Sequence, residues 1–144
     1  SSIYDDGIPS NVTLHQSTDK FYCSNNQLNS WLCFDFIDNR IIPTSYTIRN
    51  GNWGPNNHYL KNWLIEVSED YQYWQELARE RDCSIMRGPN IVHTFKISRE
   101  PRKPIRYLRI RLIGENWYKV LFQSHYHLVI ESFEIYGKLI LNYK

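Results

Sequence analysis

Short runs of alternating apolar and polar residues, broken by clusters of Gly, Pro, Asn and Asp, make up most of this chain. Alternation sends successive side chains to opposite faces, as in strands buried on one side. Trp31 to Phe36 sets Leu32, Phe34 and Phe36 against Trp31, Cys33 and Asp35. In Ile41 to Arg49, Tyr46 and Ile48 alternate with Thr47 and Arg49. Lys61 to Ser68 aligns Trp63, Ile65 and Val67. Ile91 to Ile97 sets Ile91, His93, Phe95 and Ile97 against Val92, Thr94 and Lys96. The cleanest alternation is Ile105 to Ile113, with Leu108, Ile110 and Leu112 on one side and Tyr107, Arg109 and Arg111 on the other. His127 to Leu141 predicts one long or bulged closing strand. One segment departs from the period: Trp74, Leu77 and Ala78 fit a helix over Trp74 to Arg81, about two turns.

The breaks carry turn chemistry. Asn50 to Tyr59 (NGNWGPNNHY) holds two Gly, one Pro and four Asn, which predicts an irregular loop. Glu69 to Tyr73, Asp82 to Asn90 and Gly114 to His125 are further turns or loops. Arg99 to Pro104 is a basic linker whose two prolines stop any strand. Many short strands with regular turn signals predict an all-β antiparallel sandwich of the jelly-roll kind. The length of 144 residues suits one domain over 1–144, a piece of a larger protein. No internal repeat is visible.

Composition narrows the function classes. Hydrophobic residues make up 42% and aromatics 15%, while a net charge of +2 is small for a nucleic-acid binder. The cationic cluster Arg99, Arg102, Lys103, Arg106, Arg109 and Arg111 is scattered over both strand faces by alternation, so no nucleic-acid partner is expected. There is no run of about 18 apolar residues, so no membrane span is expected. Ser1 to Pro9 carry Asp5 and Asp6 with no apolar stretch of signal-peptide type. Cys23, Cys33 and Cys83 form neither an even disulfide set nor a zinc spacing, and read as reduced thiols of a cytoplasmic protein. Asn11-Val12-Thr13 is a glycosylation sequon of little weight. His125 and His127 share a side of an extended segment, but no third ligand is evident, so no metal and no cofactor is expected. No Ser elbow, P-loop or dinucleotide fingerprint is present, and Cys83 has no evident His partner; the chain does not read as an enzyme. Asp35 and Asp38 read as turn caps rather than an acid–base pair.

At this point the order of motifs resembles a known family. Trp31-Leu32-Cys33-Phe34-Asp35-Phe36, Pro43-Thr44-Ser45-Tyr46-Thr47-Ile48-Arg49, Leu60 to Asp70 with Trp74, Arg106-Tyr107-Leu108-Arg109-Ile110 and Phe133-Glu134-Ile135-Tyr136-Gly137 are similar to successive strands of discoidin, or coagulation-factor C-type, domains. These are galactose-binding-domain-like sandwiches. The flavour resembles the intracellular branch in HECT-type ubiquitin ligases and BTB-containing, often protist, proteins. The resemblance spans roughly Asn29 to Leu139. It implies a jelly roll whose loops at one end bind glycans, lipid head groups or protein segments. No Cys lies near either end to tie the termini, and the Asn50 to Tyr59 loop has only Trp53 as a strongly apolar tip. Both departures weaken a secreted or membrane-docking role.

The resemblance points to the loops for binding residues. Trp53 suits an aromatic platform, with Asn56, Asn57 and His58 as orienting hydrogen-bonding groups. Arg49, beside that loop, and Arg111 are candidates for forking onto an anion; the competing reading pairs the arginines with acidic neighbours such as Glu66. Glu115, Asn116 and Trp117 occupy a second loop, where Trp117 either faces ligand or plugs the sandwich. Tyr22, Asn25 and Asn26 form a third. The resulting expectation is a non-catalytic module, monomeric within its parent chain, that binds a protein segment; the alternative is a carbohydrate-binding module using the same loops. Neither nucleic acid nor membrane is an expected partner.

Overall fold

A computed structural model describes residues 21–143. The sequon at Asn11 and the segment Ser1 to Pro9 lie outside the described residues. Eleven strands follow in order: β1 (Tyr22–Cys23), β2 (Trp31–Asp35), β3 (Arg40–Arg49), β4 (Trp63–Ser68), β5 (Gln75–Glu80), β6 (Val92–Lys96), β7 (Tyr107–Leu112), β8 (Lys119–Val120), β9 (Gln123–Ser124), β10 (Val129–Ile130) and β11 (Ser132–Ile140). Among the described residues there is no helix. The all-β antiparallel expectation holds.

Two sheets form the sandwich. One has the order β2-β7-β4-β5, the other β11-β3-β6, and the pairs β1-β10 and β8-β9 flank them. Register places the predicted apolar positions side by side. Leu32 lies opposite Ile110, which lies opposite Ile65; Phe34 lies opposite Leu108, which lies opposite Val67. Leu32, Ile65, Val67, Leu108, Ile110 and Leu112 are all buried. Their outward neighbours face Glu66, whose Oε1 accepts from the Arg109 and Arg111 guanidinium groups.

The two layers meet through aromatic rings. Phe34 stacks on Phe133 at 5.2 Å, Phe133 on Tyr46 at 5.6 Å and Tyr46 on Phe95 at 5.3 Å. Trp63 meets Phe95 edge-on at 5.4 Å, and its indole N–H donates to the Tyr46 hydroxyl at 3.1 Å. Burial of that hydroxyl pushes the Tyr46 pKa well above its ordinary value, so it stays protonated.

Two predicted elements come out differently. Trp74 to Arg81 is not helical: Gln75–Glu80 is β5, paired with β4. A register shift between Ile65 and Glu66 leaves Leu77 as the extra residue of a bulge. Leu77 and Ala78 therefore both reach the core, and Trp74 lies against Arg109 on the outside. That arrangement mimics helical spacing in the sequence. The closing segment is divided: β10 pairs β1, and β11 pairs β3 with a bulge between Tyr136 and Gly137. A Cβ at Gly137 would overlap the Ile42 carbonyl and lie 2.8 Å from Pro43 Cα.

Leu108→Ala should lower unfolding free energy by about 2–5 kcal/mol in urea titrations, since the site cannot collapse around so central a void. A loss under about 1 kcal/mol would mean that the inner face has been misassigned. Gly137→Ala should also lower the midpoint, because the Ile42 carbonyl must move aside, whereas Gly54→Ala meets nothing within 4 Å and tests φ alone.

Candidate functional site

Antiparallel register sends four connections to the same end of the sandwich: 24–30, 50–62, 81–91 and 113–128. This is the end that the sequence resemblance singled out. Buried amides tie the loops together. Asn116 is fully buried; its Nδ2 lies 3.1 Å from His58 Nδ1 and donates to the His127 carbonyl at 3.0 Å, while its Oδ1 accepts from Tyr118 N. Asn50 Nδ2 donates to the Met86 and Gly88 carbonyls. Asn62 bridges Glu115 O and Asp82 N. These bonds offset much of the cost of burying the amides and fix the loops, although Asn50 Oδ1 is buried without a partner.

The predicted site residues divide into surface and scaffold. Trp53 is half-buried, stacked on Tyr59 at 5.9 Å and edge-on to Phe21 at 6.2 Å. Asn57 Nδ2 donates to Trp53 O at 2.6 Å, and Asn56 is exposed. Trp117 lies between two cations, Lys61 Nζ at 4.5 Å and the Arg87 guanidinium at 4.4 Å, and its N–H donates to Cys83 O. Glu115 accepts from Lys61 and from Ser124, and these bonds hold its carboxyl down at about 2. Asn26 is exposed, and its Oδ1 accepts from Tyr126 N at 2.7 Å. Asn25 is half-buried and its carbonyl takes the turn bonds from Gln27 N and Ser30 Oγ.

Three of the candidates are corrected. Tyr22 is 1% exposed, with its hydroxyl donating to Trp31 O, so it is a core residue. Asn116 is a buried strut rather than a ligand-facing group. Arg111 lies on the outer face of the four-stranded sheet, where Glu66 and Asn29 hold it. Arg49 is half-buried at the end of β3, its carbonyl accepting from Glu131 N.

Sequence reasoning missed one grouping. His58, His125 and His127 converge, their ligating atoms all within 4.8 Å of one another. Tyr118 covers His58 at 4.3 Å. His125-Tyr126-His127 was visible as a pair; the third ring comes from another loop, and no spacing along the chain announces it. Burial, then the nearby His127 and His125, push His58 down to about 4, leaving its ring neutral near pH 7.

The profile of the Sad1 / UNC-like C-terminal family matches residues 6–139. The chain belongs to this family. E3 ubiquitin-protein ligase Ufd4 of Drosophila melanogaster is 32% identical over 111 residues, 77% of this chain and 4% of that protein. The chain thus spans about 4% of that relative's length. An F-lectin (fucolectin) from striped bass, Morone saxatilis, serum shares the fold at TM-score 0.71 and 19% identity, over 95% of this chain and 45% of that one. A CBM32 module from a family 31 glycoside hydrolase of Clostridium perfringens does so at TM-score 0.71 and 14% identity, over 96% of this chain and 87% of that one. The galactose-binding-like fold and the likeness to ubiquitin-ligase domains both hold; the family itself is Sad1 / UNC-like.

His58 also sets a pH dependence. Its pKa is about 4 folded against 6.5 unfolded, so the unfolded chain takes up a proton that the folded chain refuses. Stability should be level above 6.5 and fall as pH drops through 6.5 towards 4. Denaturant midpoints across that window should show a shallower fall in His58→Gln than in the parent; equal slopes would assign the acid sensitivity to other groups.

Proposed function

We propose that this chain is a non-catalytic recognition module that holds a protein segment against the loop rim, as one domain of a larger cytoplasmic protein of the ubiquitin pathway. The observation that carries this reading is the rim itself. Three loops, braced with the connection 81–91 by buried Asn residues, carry Asn26, Trp53, Asn56, Asn57, His58 and Trp117 at one end of the sandwich. Rigid aromatic anchors with a few oriented amides are the usual makings of a recognition surface. The likeness to an E3 ubiquitin-protein ligase supports a protein partner.

Several features support a role without chemistry. Cys83 is buried, and burial raises its thiol pKa, which suppresses the nucleophilic thiolate. The Asp35 carboxylate is taken by Arg106 and by Ile37 N, as expected of a turn cap. A glycan ligand is the second reading. It is favoured by the Trp53 ring, braced on Tyr59 as a stacking platform would be, and by the lectin-type relatives of the fold.

A peptide array and a glycan array, each probed with the parent chain, separate the two. Peptide binding should fall at least ~10-fold, equivalent to about 1.4 kcal/mol, in Trp53→Ala and in Asn56→Ala. Arg79→Ala, on an exposed strand position, should bind like the parent. Near-ultraviolet dichroism checks that each variant is folded. Glycan binding alone would establish the second reading. Retained binding in both rim variants would place the partner elsewhere on the sandwich.

A further inference from the structure

We propose that His58, His125 and His127 form a three-imidazole binding site for a divalent zinc-type metal ion, with a fourth position left to solvent or ligand. The proposal shares His58 with the rim, and its test reads metal binding directly, whatever the rim recognises. Three imidazoles with one open position are a common zinc donor set, and imidazole suits zinc, copper and nickel over magnesium and calcium.

The ring positions support it. His58 lies 4.7 Å from His127 and 5.5 Å from His125, centroid to centroid. Around one zinc ion, with bonds of about 2.0–2.1 Å, tetrahedral donor nitrogens stand about 3.3 Å apart. The ligating atoms, within 4.8 Å of one another, therefore need to close by about an ångström or a little more. His58 and the segment 125–127 all lie outside strands, so ring rotation can supply that movement.

The surroundings already orient His127. His127 Nδ1 lies 2.7 Å from the Ser24 carbonyl, a pure acceptor. That contact fixes Nδ1 as the protonated nitrogen and puts the lone pair of the neutral ring on Nε2. A metal-bound histidine is usually held in this way by a carbonyl or carboxylate behind it. Asn116 ties the cluster together: its amide nitrogen donates to the His127 carbonyl and to His58 Nδ1, and its backbone N–H donates to the His125 carbonyl. The bond to Nδ1 leaves the proton of the neutral His58 ring on Nε2, so ligation by His58 requires its tautomer to switch or that bond to be given up. His125 provides an independent pointer: its Nε2 is buried and has no hydrogen-bond partner. A buried, unmatched imidazole nitrogen is costly unless something binds it. The Cys23 thiol lies 3.8 Å from His127 Nδ1, on the side of the ring already occupied by Ser24, so it is not counted as a ligand.

Isothermal titration with Zn2+ after chelator treatment should give one site per chain. Co2+ should bind with the visible absorption of a four-coordinate ion, and without the thiolate charge-transfer band that Cys23 would add. His58→Gln, His125→Gln and His127→Gln should each weaken binding at least ~10-fold, whereas His93→Gln, on β6 against Phe95, should bind like the parent. Zn2+ should raise the melting temperature of the parent by mass action and not that of His58→Gln. Long-range nitrogen–proton spectra of the parent provide a check that needs no variant. On Zn2+ addition the ring nitrogens of these histidines should shift together while His93 stays. Absence of stoichiometric binding, unmoved His58 signals, or equal affinity in His58→Gln would each overturn the site and assign the cluster to ring packing. None of those results bears on the peptide and glycan arrays.

Discussion

The contact between the Trp63 indole and the Tyr46 hydroxyl is the interaction on which the rest of the sandwich depends. Here the two sheets touch through both a hydrogen bond and an edge-on ring contact, Trp63 against Phe95, which is itself stacked on Tyr46. Two amphipathic sheets have no fixed offset if only aliphatic side chains meet, because the hydrophobic effect is non-directional. Ring stacking has preferred geometry, and a buried polar pair tolerates little displacement. The run from Phe34 through Phe133, Tyr46 and Phe95 to Trp63 therefore sets how one sheet lies on the other. Strand ends follow from that, and so does the position of every loop that leaves them.

The rim is rigid for a second reason. Its loops are long and rich in residues that favour turns, a composition that alone would give a loose surface. Asn50, Asn62 and Asn116 are buried beneath it and spend their amides on backbone groups of neighbouring loops. The asparagines inside the rim hold it together; of those on its outside, Asn26 also braces Tyr126 N through its Oδ1, and Asn56 is exposed.

That division explains what could be read from the chain. Strand faces were legible because alternation is a local property: Leu108, Ile110 and Leu112 are buried as their period requires. The β5 bulge was not legible, because Leu77 and Ala78 reaching the core together produces the i, i+3, i+4 spacing of a helix. At the rim, the loops could be named but their residues could not be sorted. Tyr22 and Asn116 look like ligand-facing groups in a turn-rich segment; only the tertiary structure shows that both are buried. Arg111 follows the competing reading of the sequence, since it pairs diagonally across the strands with Glu66. The histidine cluster lay furthest from view, because His58 meets its partners only through the closure of two separate loops.

The thiols bear on what joins the two sheets. Cys23, Cys33 and Cys83 are unbonded, and burial pushes Cys23 and Cys33 up to about 11. Reactivity follows the thiolate fraction, which is small at that pKa. No disulfide among these three holds the sandwich. The link between the two sheets is therefore non-covalent throughout these residues, and the three thiols enter it as small apolar side chains rather than as redox groups.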